Sequence, residues 1–313
     1  MIMGEPLIQL KDISKRFGKH LVLNNLSITV DEKAIYGIIG LSGSGKTTIL
    51  NLLIGFIKQS QGTILFKNKN ILKSQREVRN NFGFVTQAGS YYLNLTVFEN
   101  LHYFGRMYGL SKDEIAKRSK DLLTFLDMSD AAHKLSRNLS TGMQRRLDIA
   151  CALIHDPLVL VLDEPTEDLD PILRKEILAL LKKINDNGTT IILTSHMLDE
   201  IEMICTDTAI LHNGNILVSG HPNKIKDLYS TNIEIHLKTY PGKYEMIEKK
   251  LGKKDVSKTV NKGHILVIYT AKPEEILKRL LIILPRLKEK LLDVDVDKPS
   301  LEEVFESLTG RSR

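Results

Sequence analysis

The stretch that decides the fold is Gly40-Leu41-Ser42-Gly43-Ser44-Gly45-Lys46-Thr47. An apolar run at 35–39 precedes it, and a run typical of a helix start follows it at 48–53. The spacing G-x-x-x-x-G-K-[ST] is that of a loop whose backbone N–H groups surround phosphate oxygens. Glycines allow the tight curl, and the helix N-terminus adds partial positive charge. The sequence therefore predicts a strand, a phosphate-binding loop and a helix.

Two side chains of this loop have tasks of their own. The Lys46 ammonium can reach the β- and γ-phosphates of a nucleotide, and the Thr47 hydroxyl can ligate Mg²⁺. A chance match becomes rare once the flanking strand and helix are also required. The predicted nucleotide-binding residues are Gly40, Leu41, Ser42, Gly43, Ser44, Gly45, Lys46, Thr47 and Thr48.

The composition is that of a globular protein with one large domain or two smaller ones. The chain has 313 residues, of which 42% are hydrophobic and 26% charged. No apolar run approaches the roughly 18 residues of a membrane span, and no secretory signal is visible at the start. We interpret Cys151 and Cys205 as small buried residues rather than a disulfide, which fits a reducing cytoplasm.

The formal net charge of +6 leaves two interpretations open. The lysines, which are dense at 249–254, form a solvated basic face, or they favour a membrane surface or an acidic partner. No aromatic residues that could stack on bases interleave with these charges. Nucleic acid is therefore not an expected partner.

An acidic pair ends one of the predicted strands. The apolar run at 158–162 is typical of a strand buried on both faces of a parallel sheet, and Asp163 and Glu164 follow it. Asp163 can hold Mg²⁺ through water. Glu164 can take a proton from an attacking water. With the phosphate loop upstream, we interpret the pair as catalytic rather than as a cap.

Two more strand ends carry an amide and an imidazole. Gln87 follows a strand at 82–86, where it can ligate Mg²⁺ or position water. His196 follows a strand at 189–194 and can contact the γ-phosphate. Open parallel sheets bind ligands at the carboxyl ends of their strands, which favours a functional role for His196 over a structural one.

A second helix start is a candidate anion site. Ser140 is a good N-cap for a helix that runs to Leu153, and Gly142 keeps its entrance small. Its position just before the acidic strand strengthens this otherwise weak signal. Phe17, which we place in a turn before the phosphate loop, either stacks on an adenine ring or belongs to the core.

Between Gln87 and Ser140 the pattern predicts a helical region. Helices are expected at 96–108 and 111–127, and Ser111 and Glu114 form a capping box for the second. The aromatic residues of this region either pack its core or line a groove for a partner helix.

The pattern of elements changes near residue 229. Beyond it the predicted order β-α-β-β-α-β resembles a split βαβ domain, and an amphipathic helix follows at 300–309. No nucleophile–base pair or metal-ligand cluster is visible there. We therefore divide the chain into a nucleotide-binding domain, 1–229, and a regulatory or assembly domain, 230–313.

Taken together, the motifs resemble those of the ATPase subunits of ABC transporters over roughly residues 7–225. The resemblance implies an α/β P-loop NTPase with a RecA-like parallel sheet core, an antiparallel β-subdomain, a helical subdomain at about 90–155 and a small α+β C-terminal domain. It implies ATP and Mg²⁺ as ligands. It rests on the phosphate loop, Gln87, Leu139-Ser140-Thr141-Gly142-Met143, Val159 to Glu164, Leu169-Asp170 and His196.

The same resemblance implies a role for each site residue. Phe17 stacks on adenine, Glu164 is the general base and His196 senses the γ-phosphate. Ser140 and Gly142 bind the γ-phosphate held by the other subunit's loop. The implied catalytic residues are Lys46, Gln87, Glu164 and His196, and the implied metal ligands are Thr47, Gln87 and Asp163.

Some details are similar to the branch of drug, antibiotic and polysaccharide exporters of the daunorubicin-resistance type, namely the segments 94–101, 140–143 and 299–311. This implies a subunit that drives a separate membrane permease at the inner face of the cell membrane, as a homodimer or with a paired subunit. A soluble ABC ATPase acting on ribosomes or DNA, and a simple P-loop kinase or GTPase, are the alternatives. Glu167-Asp168 depart from the family, where small residues are usual, and add negative charge to a subunit-facing loop.

Overall fold

The structure is a computed structural model that describes residues 6–229, 233–297 and 300–309. Two compact units divide the chain, Met1–Pro222 and Asn223–Arg313. Residue 230, at which the predicted second domain begins, and residues 299, 310 and 311 of the exporter-like segment lie outside the described residues.

The elements are numbered in chain order. Strands β1 to β10 are Ile8–Phe17, His20–Val30, Ile35–Ile39, Gln61–Phe66, Lys69–Asn70, Phe82–Val85, Val159–Leu162, Thr190–Ser195, Asp207–His212 and Asn215–Gly220. Helices α1 to α8 are Lys46–Leu53, Gln75–Asn81, Val97–Met107, Lys112–Phe125, Thr141–Leu153, Pro171–Asp186, Leu198–Ile204 and Pro222–Tyr229. The remaining elements are β11 Ile233–Tyr240, α9 Tyr244–Leu251, β12 Lys258–Asn261, β13 Leu266–Thr270, α10 Pro273–Arg286, β14 Lys290–Asp297 and α11 Leu301–Thr309.

The first unit is built on a six-stranded sheet with the order β10-β9-β3-β8-β7-β6. Its strands pair in parallel, except for β10, which forms an antiparallel hairpin with β9. Every residue of β3, β7 and β8 is buried, as their continuous apolar runs predict. The phosphate loop, the acidic pair and His196 follow these three strands, so the parallel register places them at one edge of the sheet.

A second, antiparallel sheet has the order β2-β1-β4-β5. Its buried residues share a core with helix α1 and the parallel sheet. Strand β1 continues to Phe17, which pairs with His20. The placement of Phe17 in a turn is therefore wrong, and the turn lies at Gly18-Lys19 instead.

The helical region contains α3 and α4, each of which begins with a capping box. In the second box the Ser111 hydroxyl accepts from the Glu114 N–H, as predicted, and Thr96 and Glu99 form the first. Tyr92 and Tyr103 pack edge to face at the surface and are 47% and 40% exposed. Core packing is therefore the wrong interpretation for this aromatic pair. The core residues here are aliphatic and include Val97, Leu101, Ile115, Leu123 and Leu126.

The second unit has an antiparallel sheet with the order β12-β13-β11-β14. Residues of α9 and α10 join β11 and β13 in its core, including Ile235, Leu237, Ile247, Ile276 and Leu280. The predicted β-α-β-β-α-β order is confirmed. Strand β14 forms one edge of this sheet and is exposed along its whole length, with Leu292, Val294 and Val296 alternating with Asp293, Asp295 and Asp297.

The two cysteines, Cys151 and Cys205, are free and buried, as predicted. Burial raises the pKa of both thiols, which keeps them protonated. Among the described residues no helix has the length and apolar character needed to cross a membrane.

Asn100 holds the helical region together from inside. This fully buried side chain accepts from the Tyr92 N–H at 2.7 Å and donates to the Tyr92 and Thr96 carbonyl oxygens, both at 3.0 Å. It also donates to Ser136 Oγ at 2.9 Å, 36 residues along the chain. A single amide side chain therefore forms hydrogen bonds with the backbone before α3 and ties it to the segment before α5.

We expect Asn100→Ala to lower the free energy of unfolding by about 2–3 kcal/mol, because it removes the hydrogen-bond acceptor of the Tyr92 N–H and the contact with Ser136, and it leaves space where the buried amide was. Urea unfolding measures the change. Asn94→Ala, in the same segment but exposed, is the matched control and should change stability by less than about 0.5 kcal/mol. Equal stability of the two variants would show that the buried network contributes nothing.

Candidate active site

The phosphate loop joins β3 to α1 in a conformation that requires its glycines. Gly43 and Gly45 have φ angles of +78° and +110°, in the left-handed range that favours glycine. A Cβ at Gly40 would lie 2.5 Å from Ser44 Oγ and 2.6 Å from the Leu211 carbonyl oxygen. Ser44 Oγ is buried and has no hydrogen-bond partner within the described part of the chain. The loop is therefore a preformed cradle with an unsatisfied polar atom.

Lys46 forms a buried ion pair. Its Nζ lies 2.7 Å from the Gly40 carbonyl oxygen and 3.0 Å from Glu164 Oε1. The other oxygen, Glu164 Oε2, accepts from the backbone N–H of His196 at 3.2 Å and from its ring Nδ1 at 2.9 Å. An ionised carboxylate can only accept, so Nδ1 is the protonated ring nitrogen. The Glu164 carboxylate thus links the cation of the phosphate loop to the imidazole.

A hydroxyl on β8 holds both acidic residues at the end of β7. Thr194 Oγ1 donates to Asp163 Oδ1 at 2.6 Å and accepts from the Glu164 N–H at 2.9 Å. All three residues are buried. Glu164 has a φ of +47°, which is uncommon for a residue with a Cβ. The Thr194 hydroxyl therefore fixes the turn that aims the two carboxylates in different directions.

These residues surround a cavity of about 460 Å³. Its lining contains most of the predicted site, together with Val22 and Glu167, which were not predicted. The lining residues are Val22, Leu41, Ser42, Gly43, Gly45, Lys46, Thr47, Thr48, Gln87, Glu164, Glu167 and His196.

Several predicted residues do not line this cavity. Gly40, Ser44 and Asp163 are buried beside it. Phe17 lies at the end of β1, 50% exposed, with the Lys15 ammonium 4.7 Å from its ring centroid. The ring is accessible to a ligand, so the adenine contact of Phe17 stays a prediction.

Ser140 and Gly142 also lie away from the cavity lining, at the N-terminus of α5. Ser140 is the N-cap, as predicted, and its hydroxyl accepts from the Met143 N–H at 3.4 Å. Gly142 is buried, and a Cβ there would lie 2.8 Å from a methyl carbon of Leu173. Within one chain, therefore, the cavity lacks this helix start.

Gln87 contacts an acidic residue at the cavity. Its side-chain amide Nε2 donates to Glu167 Oε2, and both residues line the cavity. The backbone N–H of Glu167 donates to the Glu164 carbonyl oxygen at 3.2 Å. The amide predicted to ligate Mg²⁺ is thus joined to the turn that carries the predicted base.

Helix α5 holds the segment that carries Gln87. The Arg145 guanidinium donates to the carbonyl oxygens of Thr86 and Gln87, both at 3.3 Å. Asp148 Oδ1 accepts from the Ser90 N–H at 2.9 Å. Burial raises the pKa of Asp148 to about 6, against the lowering effects of the Ser90 N–H and Arg145. These long-range contacts, like the one at Thr194, have no local sequence signal.

The donor set fits a nucleotide triphosphate. The glycine cradle, the orphaned Ser44 hydroxyl and the Lys46 ammonium all suit phosphate oxygens. The Thr47 hydroxyl and the Gln87 and Asp163 oxygens are hard ligands of the kind that Mg²⁺ prefers.

Comparison with known proteins identifies the family. The family model described as "ABC transporter" matches residues 23–167. The linearmycin resistance ATP-binding protein LnrL of Bacillus subtilis (strain 168) is 31% identical over 98% of this chain and 99% of its own length. The Nod factor export ATP-binding protein I of Rhizobium sp. (strain N33) is 36% identical over 99% of both chains. The chain belongs to the ATP-binding subunits of ABC transporters.

Solved structures agree with this family. Clostridium perfringens cbiO1, described as part of the ABC transporter complex cbiONQ, has a TM-score of 0.67 and 27% identity, over 71% of this chain and 91% of its own. The ADP conformation of MJ1267, an ATP-binding cassette of an ABC transporter, has a TM-score of 0.65 and 26% identity, over 71% and 93%. The predicted α/β P-loop NTPase fold is confirmed. Subunits of this family bind ATP, hydrolyse it to drive transport, and act with membrane permease components.

We expect Thr194→Val to impair both stability and hydrolysis. It should cost about 1–3 kcal/mol of unfolding free energy, because Asp163 Oδ1 and the Glu164 N–H lose a buried partner. It should also lower kcat roughly 10-fold, through misplacement of the acidic pair. Urea unfolding and steady-state ATPase assays measure the two effects.

Thr190→Val is the matched control, because Thr190 is a buried threonine on the same strand whose hydroxyl accepts from the Lys33 N–H at 2.8 Å, away from the cavity. It should lose comparable stability and keep its kcat. If the two variants have the same kcat, the Thr194 hydroxyl does not position the acidic pair.

Proposed function

We propose that this chain is the ATP-hydrolysing subunit of an exporter, with Glu164 as general base and Lys46, Gln87 and His196 as further catalytic residues. The observation that carries the proposal is the Glu164 carboxylate, held between the Lys46 ammonium and the His196 ring at the edge of the phosphate cavity.

The Lys46–Glu164 pair supports a defined sequence of events. Lys46 is the counter-ion of Glu164 at 3.0 Å, so an arriving γ-phosphate competes for the same ammonium. Once Lys46 turns to the phosphate, Glu164 loses its cation and becomes a stronger proton acceptor for water. His196 keeps the carboxylate in place through its backbone and ring N–H groups. Nucleotide binding thereby activates the base.

Thr47, Gln87 and Asp163 would hold Mg²⁺ in this proposal, and the ion would supply charge neutralisation on the phosphate oxygens. Asp163 accepts from Thr194 with one carboxylate oxygen, which leaves the other oxygen available toward the metal. Thr48 and the loop from Gly40 to Gly45 supply N–H groups for the phosphates. Phe17 supplies an exposed ring for adenine.

The position of Ser140 and Gly142 supports a pair of subunits arranged head to tail. The cavity opens to the surface, and neither Ser140 nor Gly142 belongs to its lining. Ser140, exposed at the start of α5, and Gly142 close this opening from a second subunit in our proposal. The partner is a second copy or a paired ABC subunit.

The relatives support export as the direction of transport. Two of them are named for linearmycin resistance and Nod factor export, and they match nearly the whole chain, including the second unit. We infer that residues 1–229 bind ATP and that residues 230–313 serve regulation or assembly in such exporters. A separate membrane permease then holds the subunit at the inner face of the cell membrane, and nucleic acid is not a partner.

Glu164→Gln tests the general base. The amide fills the same space but cannot accept the water's proton, so hydrolysis should fall by ~10²–10⁴-fold. MgATP should bind at least as tightly as to the wild type, since Lys46 no longer has to break an ion pair with residue 164 to reach the phosphate. Steady-state ATPase and equilibrium binding measure the two. Glu77→Gln, which removes a surface carboxylate, is the control. Turnover of Glu164→Gln within a few-fold of wild type would eliminate Glu164 as the base.

Mixed subunits test the head-to-tail arrangement. Lys46→Ala and Ser140→Arg homodimers each have two defective sites and should be inactive. A heterodimer of the two has one site with both defects and one site with intact Lys46 and Ser140. Mixing should therefore restore part of the ATPase rate, with exchange confirmed by differently tagged chains. Confirmed heterodimers without activity contradict independent sites formed in trans, and an active Ser140→Arg homodimer removes Ser140 from the site.

A further inference from the structure

Glu167 is an acidic residue in the turn that follows Asp163 and Glu164. It is half-buried and lines the phosphate cavity together with Lys46 and Glu164. Its carboxylate accepts from the side-chain amide of Gln87, 80 residues earlier in the chain. Its neighbour Asp168 is exposed and does not line that cavity.

The contact decides which way the Gln87 amide faces. An ionised carboxylate can accept from the amide nitrogen but repels the amide oxygen, so Nε2 must face Glu167. The carbonyl oxygen Oε1 is the only side-chain atom of Gln87 that can ligate a hard cation. With Nε2 held by Glu167, Oε1 is left for the cavity.

Other contacts hold the backbone around Gln87, and the contact with Glu167 holds its side-chain amide. Arg145 holds the Gln87 carbonyl oxygen, and Asp148 holds the Ser90 N–H, so α5 anchors the backbone on this segment. Glu167 is itself anchored, because its N–H donates to the Glu164 carbonyl oxygen. The Glu167 side chain therefore extends from an anchored backbone to the otherwise rotatable side chain of Gln87.

We propose that Glu167 is a positioning residue that orients the Gln87 amide so that its oxygen faces Mg²⁺. This inference rests on the metal-binding role proposed above for Gln87. In this role Glu167 contributes to the ATP site of its own chain.

The test measures the Mg²⁺ requirement of the purified full-length chain. Binding of a fluorescent ATP analogue and steady-state ATPase activity are each titrated with Mg²⁺ for the wild type, Glu167→Ala, Gln87→Ala and the double variant. Glu167→Ala should raise the half-saturating Mg²⁺ concentration by about 10-fold, the lower end of the effects seen when a ligand loses its supporting partner. Gln87→Ala should raise it at least as much.

The double variant separates positioning from simple charge attraction. If Glu167 acts through Gln87, the double variant should need no more Mg²⁺ than Gln87→Ala alone. A carboxylate that attracted the cation directly would keep its effect without Gln87, and such additivity overturns the proposal. Glu167→Gln should show an intermediate Mg²⁺ requirement. The side-chain oxygen of the new glutamine can still accept from Gln87 Nε2, but its own amide nitrogen can also donate to Gln87 Oε1 and so permits the opposite orientation of the Gln87 amide.

Asp168→Asn is the matched control, because it removes the adjacent negative charge and keeps a residue that tolerates the φ of +61° there. Its Mg²⁺ requirement should equal that of the wild type, and a shift as large as that of Glu167→Ala refutes a specific role for Glu167. If Glu167→Ala needs as much Mg²⁺ as the wild type while Gln87→Ala needs more, the positioning role of Glu167 is overturned and the metal role of Gln87 stands. A wild-type requirement in Gln87→Ala overturns the proposed metal role of Gln87 and, with it, the basis of the inference.

Discussion

A buried ammonium group needs a counter-ion, and this constraint shapes the whole ATP site. Lys46 lies at the base of the phosphate loop with its side chain 8% exposed, and Glu164 balances its charge. The pair can form only because the sheet brings the ends of β3 and β7 to one edge, with β8 between them. The residues at the end of β8 therefore lie beside both strands, which explains why Thr194 contacts Asp163 and Glu164 and why His196 contacts Glu164.

The loops around this edge are bound to one another rather than only to the sheet. Arg145 and Asp148 of α5 hold the backbone of the segment after β6, and Glu167 holds the side chain of Gln87 in that segment. Since α5 begins at Ser140, a shift of this helix on contact with a second subunit would be felt directly at Gln87. Such a connection would be a physical route between the proposed subunit interface and Gln87.

The sequence predicted the parts of the site that have a local signal. The phosphate loop, the acidic pair after an apolar run and the N-cap at Ser140 each follow from neighbouring residues, and the structure places them as expected. The contacts of Thr194 with Asp163, of Ser90 with Asp148 and of Gln87 with Glu167 join residues 31, 58 and 80 positions apart. Pairings of this kind depend on strand order and helix packing, so no periodicity or spacing could reveal them. Phe17 was predicted to lie in a turn, whereas its pairing with His20 makes it the last residue of β1.

The exposed edge strand β14 bears on how the protein behaves in concentrated solution. Unpaired backbone groups on a strand edge attract other strands, and apolar residues such as Leu292 and Val294 would strengthen that attraction. The aspartates that alternate with them, Asp293, Asp295 and Asp297, place a negative charge at every second position, so a second copy docking there would bring like charges together. The acidic residues of β14 thus act as gatekeepers against aggregation, and neutralising them would turn a solvated edge into a template for fibre-like growth.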